Sequence, residues 1–525
     1  MNLNLSQFRK VPPNGILYLV IAFVIGAMVL GCGEKREPDN LIIAVEELPN
    51  GLNPVFDIND EGKLAVGVIF QGLFDPSGER PNDFQPVLAE DITQDPSDRA
   101  VFDISLATGV LWHDGRRFSA DDVLFSYECY MNPENNSPLR GRISSMIKNI
   151  EKVDDFLIRV TFVVPVSPID VPFLLSFKII PAFYQNNPMD TNLWTEASLA
   201  FNRQPIGTGA YQFEIWENNK LILTRGDPTA KIEHITLQRQ RDIDIRVKKL
   251  MDDKIDLVFN VDPSFFEILN TKQLGYAEYV PYAYYAIAIN TTDSLLSDMH
   301  LRRAMAFATD KLTLLNEAYG TMDDTYINYG PFPHNSHRLY RGFGDIFNDN
   351  MDSARFELQQ SQYNGSPLAL IFPQGYGIMG EGIAFGYKHM MNEIGVLVEV
   401  VERGLDFYSK LDGKAYQLAL VYEDDFDRHY NILPIYLSDG KKNVTGIQDI
   451  ELDNLLVEWD HEIIMTKKVP IAKAIHERIS EICPYIYLFT LPQRAYYSTR
   501  LRNVAIVDAN ARLAGVHKWE ILLDE

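Results

Sequence analysis

Gly109-Val110-Leu111-Trp112-His113-Asp114-Gly115-Arg116-Arg117-Phe118-Ser119-Ala120-Asp121-Asp122-Val123-Leu124-Phe125-Ser126 holds a strand end, a turn and a helix start in one short run. The apolar stretch closes at Trp112. Asp114-Gly115 is a dipeptide that turns a chain back on itself, because glycine tolerates the left-handed backbone that such turns require. Ser119 then offers a side-chain oxygen to the free N–H groups of a helix carrying Val123 and Phe125. Trp112, flanked by apolar residues, reads as a packing residue. A chain that passes from strand to turn to helix so quickly builds layers of both kinds.

Working outward, Val101–Leu106 (VFDISL) and 158–163 (IRVTFV) alternate apolar and polar residues, as half-buried strands do. Leu41–Val45 (LIIAV) is a short β-branched run with the look of a buried strand. Residues 211–215 and 221–224 flank Asn218-Asn219, a hairpin signature. After Ser297-Asp298, Leu301, Ala304, Met305, Ala308, Leu312 and Leu315 fall at helical spacing, so one helix is expected there. Asp298 would cap it and pair with Arg302 one turn on. A second helix is expected over 383–394, stopped by Gly395, with a strand at 396–401. No repeat or low-complexity tract interrupts the alternation, and the fold class is α/β with mixed sheets.

The 525 residues carry 48 Lys+Arg against 72 Asp+Glu, a net charge of −24. Nucleic acid is excluded as a partner, because phosphate binding needs a basic face. Residues 1–31 differ from the rest: Arg9 and Lys10 precede an uncharged run, Ile16 to Leu30, of about 22 Å as a helix, too short for the hydrocarbon core. A basic start, a short apolar run and small residues at its end describe an export signal. Val29-Leu30-Gly31-Cys32 resembles the bacterial lipobox, which implies cleavage before Cys32 and a lipid on its sulfur. Residues 32–40 then form a polar tether to the membrane, and loss of Arg9 and Lys10 takes the net charge to −26. Cys129 and Cys483 sit in apolar-aromatic surroundings and are expected to be buried thiols.

No constellation demands catalysis. His461-Glu462 opens like a zinc-protease motif but lacks the second histidine one turn on. His334 and His337 lie in a Pro/Asn loop, read as surface rather than as a metal site. Gly207-Thr208-Gly209 lacks the third glycine and the lysine of a phosphate loop. No enzyme activity, metal or cofactor is expected.

Five segments in order resemble the peptide-binding family of solute receptors of ABC transporters, which includes dipeptide, oligopeptide and nickel binders. They are Leu48-Pro49-Asn50-Gly51-Leu52-Asn53-Pro54, the block 109–126, Pro205-Ile206-Gly207-Thr208-Gly209-Ala210-Tyr211, the helix region from Ala288-Ile289-Asn290 to Tyr319-Gly320, and Met391-Asn392-Glu393-Ile394-Gly395-Val396. Ala210 stands where the family has proline.

The resemblance implies a two-lobe clamshell of the type II periplasmic-binding-protein kind with an extra domain and a discontinuous first domain. Domain I would comprise 41–57, 203–268 and 489–525, an inserted domain II 58–202, and domain III 269–488. It further implies a monomer that captures a peptide or related solute between lobes and delivers it to an ABC permease and ATPase. A sensor that keeps the clamshell and signals to a membrane partner is the alternative. In the family an aspartate of the third domain meets the peptide's ammonium. Here Tyr422-Glu423-Asp424-Asp425-Phe426-Asp427 falls at that place, with Asp425 as counterpart and Asp424 or Asp427 one step away. Tyr422 takes the place of the usual tryptophan. Asn53 in the first loop and Gln374 after the strand 368–373 would also border the ligand. Dipeptide binders carry an arginine near Gly375 for the peptide's carboxylate; none stands there, so longer peptides fit better. Tyr282, Tyr284 and Tyr285 read as core residues rather than as ligand contacts.

Overall fold

A computed structural model describes residues 38–522, except 81–82, 185–189, 321, 323, 333–342, 345, 424–431 and 463–464. The export signal, Cys32, His334, His337 and the acidic residues Asp424, Asp425 and Asp427 lie outside the described residues. Among the described residues no helix is long and apolar enough to cross a membrane.

The eighteen-residue block folds as its chemistry dictates. Leu111 bridges Arg117 across the turn, and Gly115 takes φ +85°. Ser119 caps the helix Ala120–Met131, with Asp122 reaching back to the Ser119 N–H at 3.0 Å in a capping box. The Asp122 carboxylate, 4% exposed, also takes the Ala182 N–H at 2.9 Å and the Trp112 Nε1–H at 3.3 Å. Burial pushes its pKa up, and these donors pull the other way. Trp112 is buried between Phe118 and Phe183, a packing residue as expected.

Three sheets carry the architecture. The first has seven strands in the spatial order Leu274–Tyr279, Gln493–Ser498, Leu257–Val258, Asn40–Val45, His234–Arg239, Lys220–Arg225 and Tyr211–Trp216. Its strands come from stretches far apart in the chain, and Asn40–Val45 at its centre runs parallel to both neighbours. The second, Ala89–Gln94, Val101–Leu106, Leu157–Phe162 and Ile147–Asp154, belongs wholly to the segment inserted between them. The third has five strands: Val398–Arg403, Leu368–Pro373, Leu418–Glu423, Tyr284–Ile289 and Tyr485–Tyr487.

Tyr284–Ile289 is buried at every position. Tyr285, Ile287 and Ile289 enter one apolar cluster; Tyr284, Ala286 and Ala288 enter another on the opposite face. A strand covered on both sides reads as a continuous apolar run rather than an alternating one.

Sheet membership changes between Tyr279 and Tyr284 on the way out and between Tyr487 and Gln493 on the way back. The sequence expectation set these changes at 268/269 and 488/489. The strand Leu274–Tyr279 therefore belongs with the first sheet, where it pairs with Gln493–Ser498.

Two local expectations are corrected. The helix after Asp298 is two helices, Met299–Phe307 and Lys311–Tyr319. Thr309 turns its hydroxyl onto the Met305 carbonyl, and Asp310 caps a new helix through the Thr313 N–H, so the period restarts. Leu312 is consequently exposed, and Leu314 joins Leu315 in the core. Asp298 does cap its helix, through the His300 N–H at 2.9 Å, but the Arg302 guanidinium makes no hydrogen bond to its carboxylate. The buried guanidinium donates to the carbonyls of Leu296, Ser297, Ile482 and Cys483 instead, and burial lowers its pKa. The second expected helix extends to Gly377–Glu393, and its strand is Val398–Arg403. Cys129 and Cys483 are buried free thiols, as expected.

Candidate functional site

The two crossings bring one edge of the five-stranded sheet against one edge of the seven-stranded sheet. Asn40–Val45 and Leu257–Val258 point their carboxyl ends toward this junction, and so do Leu368–Pro373 and Leu418–Glu423 from the other side. Segments leaving the carboxyl ends of parallel strands are the usual place for a ligand in open α/β sheets.

On the side of the five-stranded sheet, Gln374 follows its strand in a single 3-10 turn and is exposed. Tyr422, half-buried, pairs across the ladder with Tyr285, ring centroids 4.7 Å apart. Tyr285 in turn meets Tyr376 edge-on at 5.7 Å and Phe489 at 6.0 Å. Tyr285 and Phe489 are buried core residues, as the sequence suggested for Tyr285, and Tyr422 and Tyr376 are the half-exposed members of this aromatic cluster. Tyr284 points to the opposite face, where its hydroxyl joins that of Tyr436 at 2.9 Å, and Tyr436 joins Tyr487 at 2.8 Å. Burial holds all three phenols well above their ordinary pKa, and Tyr282 is also buried. Tyr284 and Tyr282 are core residues, as the sequence suggested.

On the first-sheet side, Asn53 lies in the loop after the central strand. It is 1% exposed, and its Oδ1 takes the Val55 N–H at 3.0 Å, an Asx turn that fixes the loop. Its Nδ2, also buried, has no hydrogen-bond partner. Asn53 lines a cavity of ≈ 920 Å³ with Phe56, Trp194, Asn202, Arg203 and Trp216. This volume falls within the range of small-molecule sites. All the residues lining it come from 48–58, 194–204 and 213–218; the second lobe contributes none. Phe56 and Trp194 form its aromatic wall, centroids 4.7 Å apart.

The structure therefore brings Gln374 and Tyr422 to one edge and Asn53 to the loop opposite. Phe56, Trp194, Asn202 and Arg203 were missed in the sequence. Trp194, 55% exposed, is the one with a usable signal, because a tryptophan left in water calls for a reason. Among the described residues, no cluster of three or more His, Cys, Asp or Glu is placed to hold a metal.

The family model described as bacterial extracellular solute-binding proteins, family 5 Middle, matches residues 83–443. Di/tripeptide-binding protein 2 of Pseudomonas aeruginosa (strain UCBPP-PA14) is 24% identical over 363 residues, which make up 63% of this chain and 64% of that protein. The alignment thus spans a little under two thirds of that relative's length. The ABC transporter substrate-binding protein CtaP from Listeria monocytogenes superposes with a TM-score of 0.81 at 20% identity, over 93% of this chain and 100% of the other. The oligopeptide-binding protein AppA from Bacillus subtilis, solved with a nonapeptide, gives 0.69 at 19% identity over 92% and 98%.

Proposed function

The chain belongs to the bacterial extracellular solute-binding proteins, family 5, and on that premise we propose that it captures peptides between its two lobes for an ABC transporter. The observation that carries the reading is the double crossing, which sets the carboxyl edges of two sheets against each other across a hinge of two strands. Such an arrangement buries a ligand by hinge closure and makes or breaks no bond.

In this reading Asp425 takes the peptide's ammonium beside Tyr422, with Asp424 and Asp427 as its neighbours. Gln374 borders the same edge. In this reading domain I comprises 41–57, 203–279 and 489–525, domain II 58–202 and domain III 280–488, with Leu274–Tyr279 counted in domain I because it pairs with Gln493–Ser498. A lipid on Cys32 tethers the protein outside the cytoplasm, beside the permease and ATPase that receive its ligand, and it acts as a monomer.

Mass spectrometry of the ligand released on denaturing the purified protein tests the function. Peptides should be released, and adding them back should raise the melting temperature by mass action. Release of a metal complex or a porphyrin, with no thermal shift from any peptide, would overturn the peptide reading. Metabolic labelling with a fatty-acid analogue tests the anchor: Cys32→Ser should abolish incorporation.

A further inference from the structure

The sequence offers no basic residue at Gly375 for a ligand's carboxylate, and the folded chain brings one from elsewhere. Arg203 lines the ≈ 920 Å³ cavity and is the one basic side chain there. It is exposed and makes no side-chain ion pair among the described residues. The acids around it are accounted for differently: Glu214 is held by His234 at 3.0 Å and Glu217 by Lys220 at 3.4 Å, while Asp57 stands in water.

Behind Arg203 the wall carries two amide groups with unmet demands. Asn53 Nδ2 is a buried donor without an acceptor, and Asn202 Oδ1 is a buried acceptor without a donor. Each such group costs free energy while it stays unpaired, and each needs an explanation. A peptide unit presents a donor N–H, the complement of Asn202 Oδ1. Asn53 is held in its Asx turn and stays within the wall, so only the Asn202 side chain can turn toward an incoming ligand. Asn202 is only half-buried and can do so. The Phe56–Trp194 pair adds an apolar wall beside them.

We propose that this cavity is a subsite for the carboxyl-terminal end of a peptide ligand, with Arg203 holding the terminal carboxylate and Asn202 meeting the last peptide unit. The inference rests on the peptide reading above. A peptide whose ammonium is held by the second lobe and whose carboxylate is held by Arg203 has contacts on both sides of the cleft, so binding favours closure. It also accounts for a site without the second-lobe arginine of dipeptide binders, since the span requires a longer chain.

The test uses the full mature chain and four synthetic libraries of random tri- to nonapeptides: free, amino-acetylated, carboxyl-amidated, and blocked at both ends. Retained peptides are quantified by mass spectrometry. The intact protein should prefer free carboxylates over amides by at least about tenfold. Arg203→Gln should abolish that preference while leaving amide retention within about twofold, and Arg203→Lys should restore part of it. The preference for free over acetylated amines should survive in Arg203→Gln. If Arg203→Gln keeps the full preference for carboxylates, or if the intact protein shows none, the subsite is overturned while the peptide reading stands. If no library is retained at all, the peptide reading itself has failed.

Discussion

The molecule has two joints, and they are made differently. At the first, the chain returns from the inserted segment to the seven-stranded sheet through Gly207-Thr208-Gly209. Backbone meets backbone there: the Gly209 N–H donates to the Ile69 carbonyl at 2.8 Å and the His113 N–H to the Gly207 carbonyl at 2.9 Å. A Cβ on Gly207 would overlap the Ile69 carbonyl oxygen, and one on Gly209 the Val68 carbonyl oxygen. The His113 ring closes the joint. The Gly207 N–H donates to its Nδ1 at 3.1 Å, so Nε2 carries the proton and donates to the Gly209 carbonyl at 2.9 Å.

At the second joint, between the lobes, side chains make the contacts. Arg494 lies over Phe266 at 4.3 Å and Tyr276 at 5.0 Å and pairs with Glu278 at 2.9 Å. From the second lobe, the Tyr326 hydroxyl donates to the other oxygen of Glu278 at 2.9 Å, and the Tyr319 hydroxyl donates to the Pro492 carbonyl at 2.6 Å. Interlocked backbones cannot slide without losing several bonds together. Side-chain contacts exchange one at a time with water at about 1 kcal/mol each. The first joint is therefore the stiffer of the two, and in the proposed capture the second is where the lobes would move.

The largest effect should come from breaking the first joint. Gly207→Ala has no room, because a carbonyl in a paired backbone cannot withdraw as a flexible side chain does. We expect a loss of about 3 kcal/mol in urea denaturation. Loss under about 0.5 kcal/mol would show that the crossing is looser than its contacts indicate.

Next comes His113. His113→Gln should cost about 1–3 kcal/mol through the two bonds it disturbs. Burial lowers the pKa of this histidine, partly offset by the Gly209 carbonyl and the charge of Asp114. The folded state thus binds the proton less readily than the unfolded chain, whose histidine titrates near about 6.5. Its contribution is fully present above that pH and lost as pH falls below it. The stability difference between the intact protein and His113→Gln should shrink from pH 7.5 to pH 5. A constant difference would mean that the imidazole is not held neutral.

The smallest stability changes belong to the second joint. Glu278→Gln and Tyr326→Phe should each cost about 1 kcal/mol or less, since the ion pair is partly solvent-screened. Their signature lies elsewhere: they should alter ligand affinity several-fold by changing the balance of lobe positions, whereas folded His113→Gln should leave it unchanged. Equal effects of both joints on affinity would erase the distinction drawn between them.

How much was legible depended on distance along the chain. The block at 109–126 could be read nearly whole, because a turn, a capping box and a strand end are settled by neighbours within a few residues. Gly207 and Gly209 were visible as part of a segment resembling the family, but Ile69 as the residue they press against was not. Asp298 was correctly a cap, and Arg302 was wrongly its partner, because the carbonyls that take its guanidinium sit at Ile482 and Cys483. The run from Leu301 to Leu315 kept helical spacing through a real break, since periodicity does not register the restart at Asp310.

Local chemistry alone settled the alternation of strands and helices, the motifs that carry the family resemblance and the capped turn around Trp112. Each of these is a steric or hydrogen-bonding demand met locally. The folded chain, by contrast, was needed to show that Leu274–Tyr279 belongs to the first sheet, that Glu278 links Arg494 to Tyr326, and that Asn53, Trp194 and Arg203 share one cavity. Those residues lie far apart in the chain, and it is strand pairing and the burial of apolar faces that bring them together.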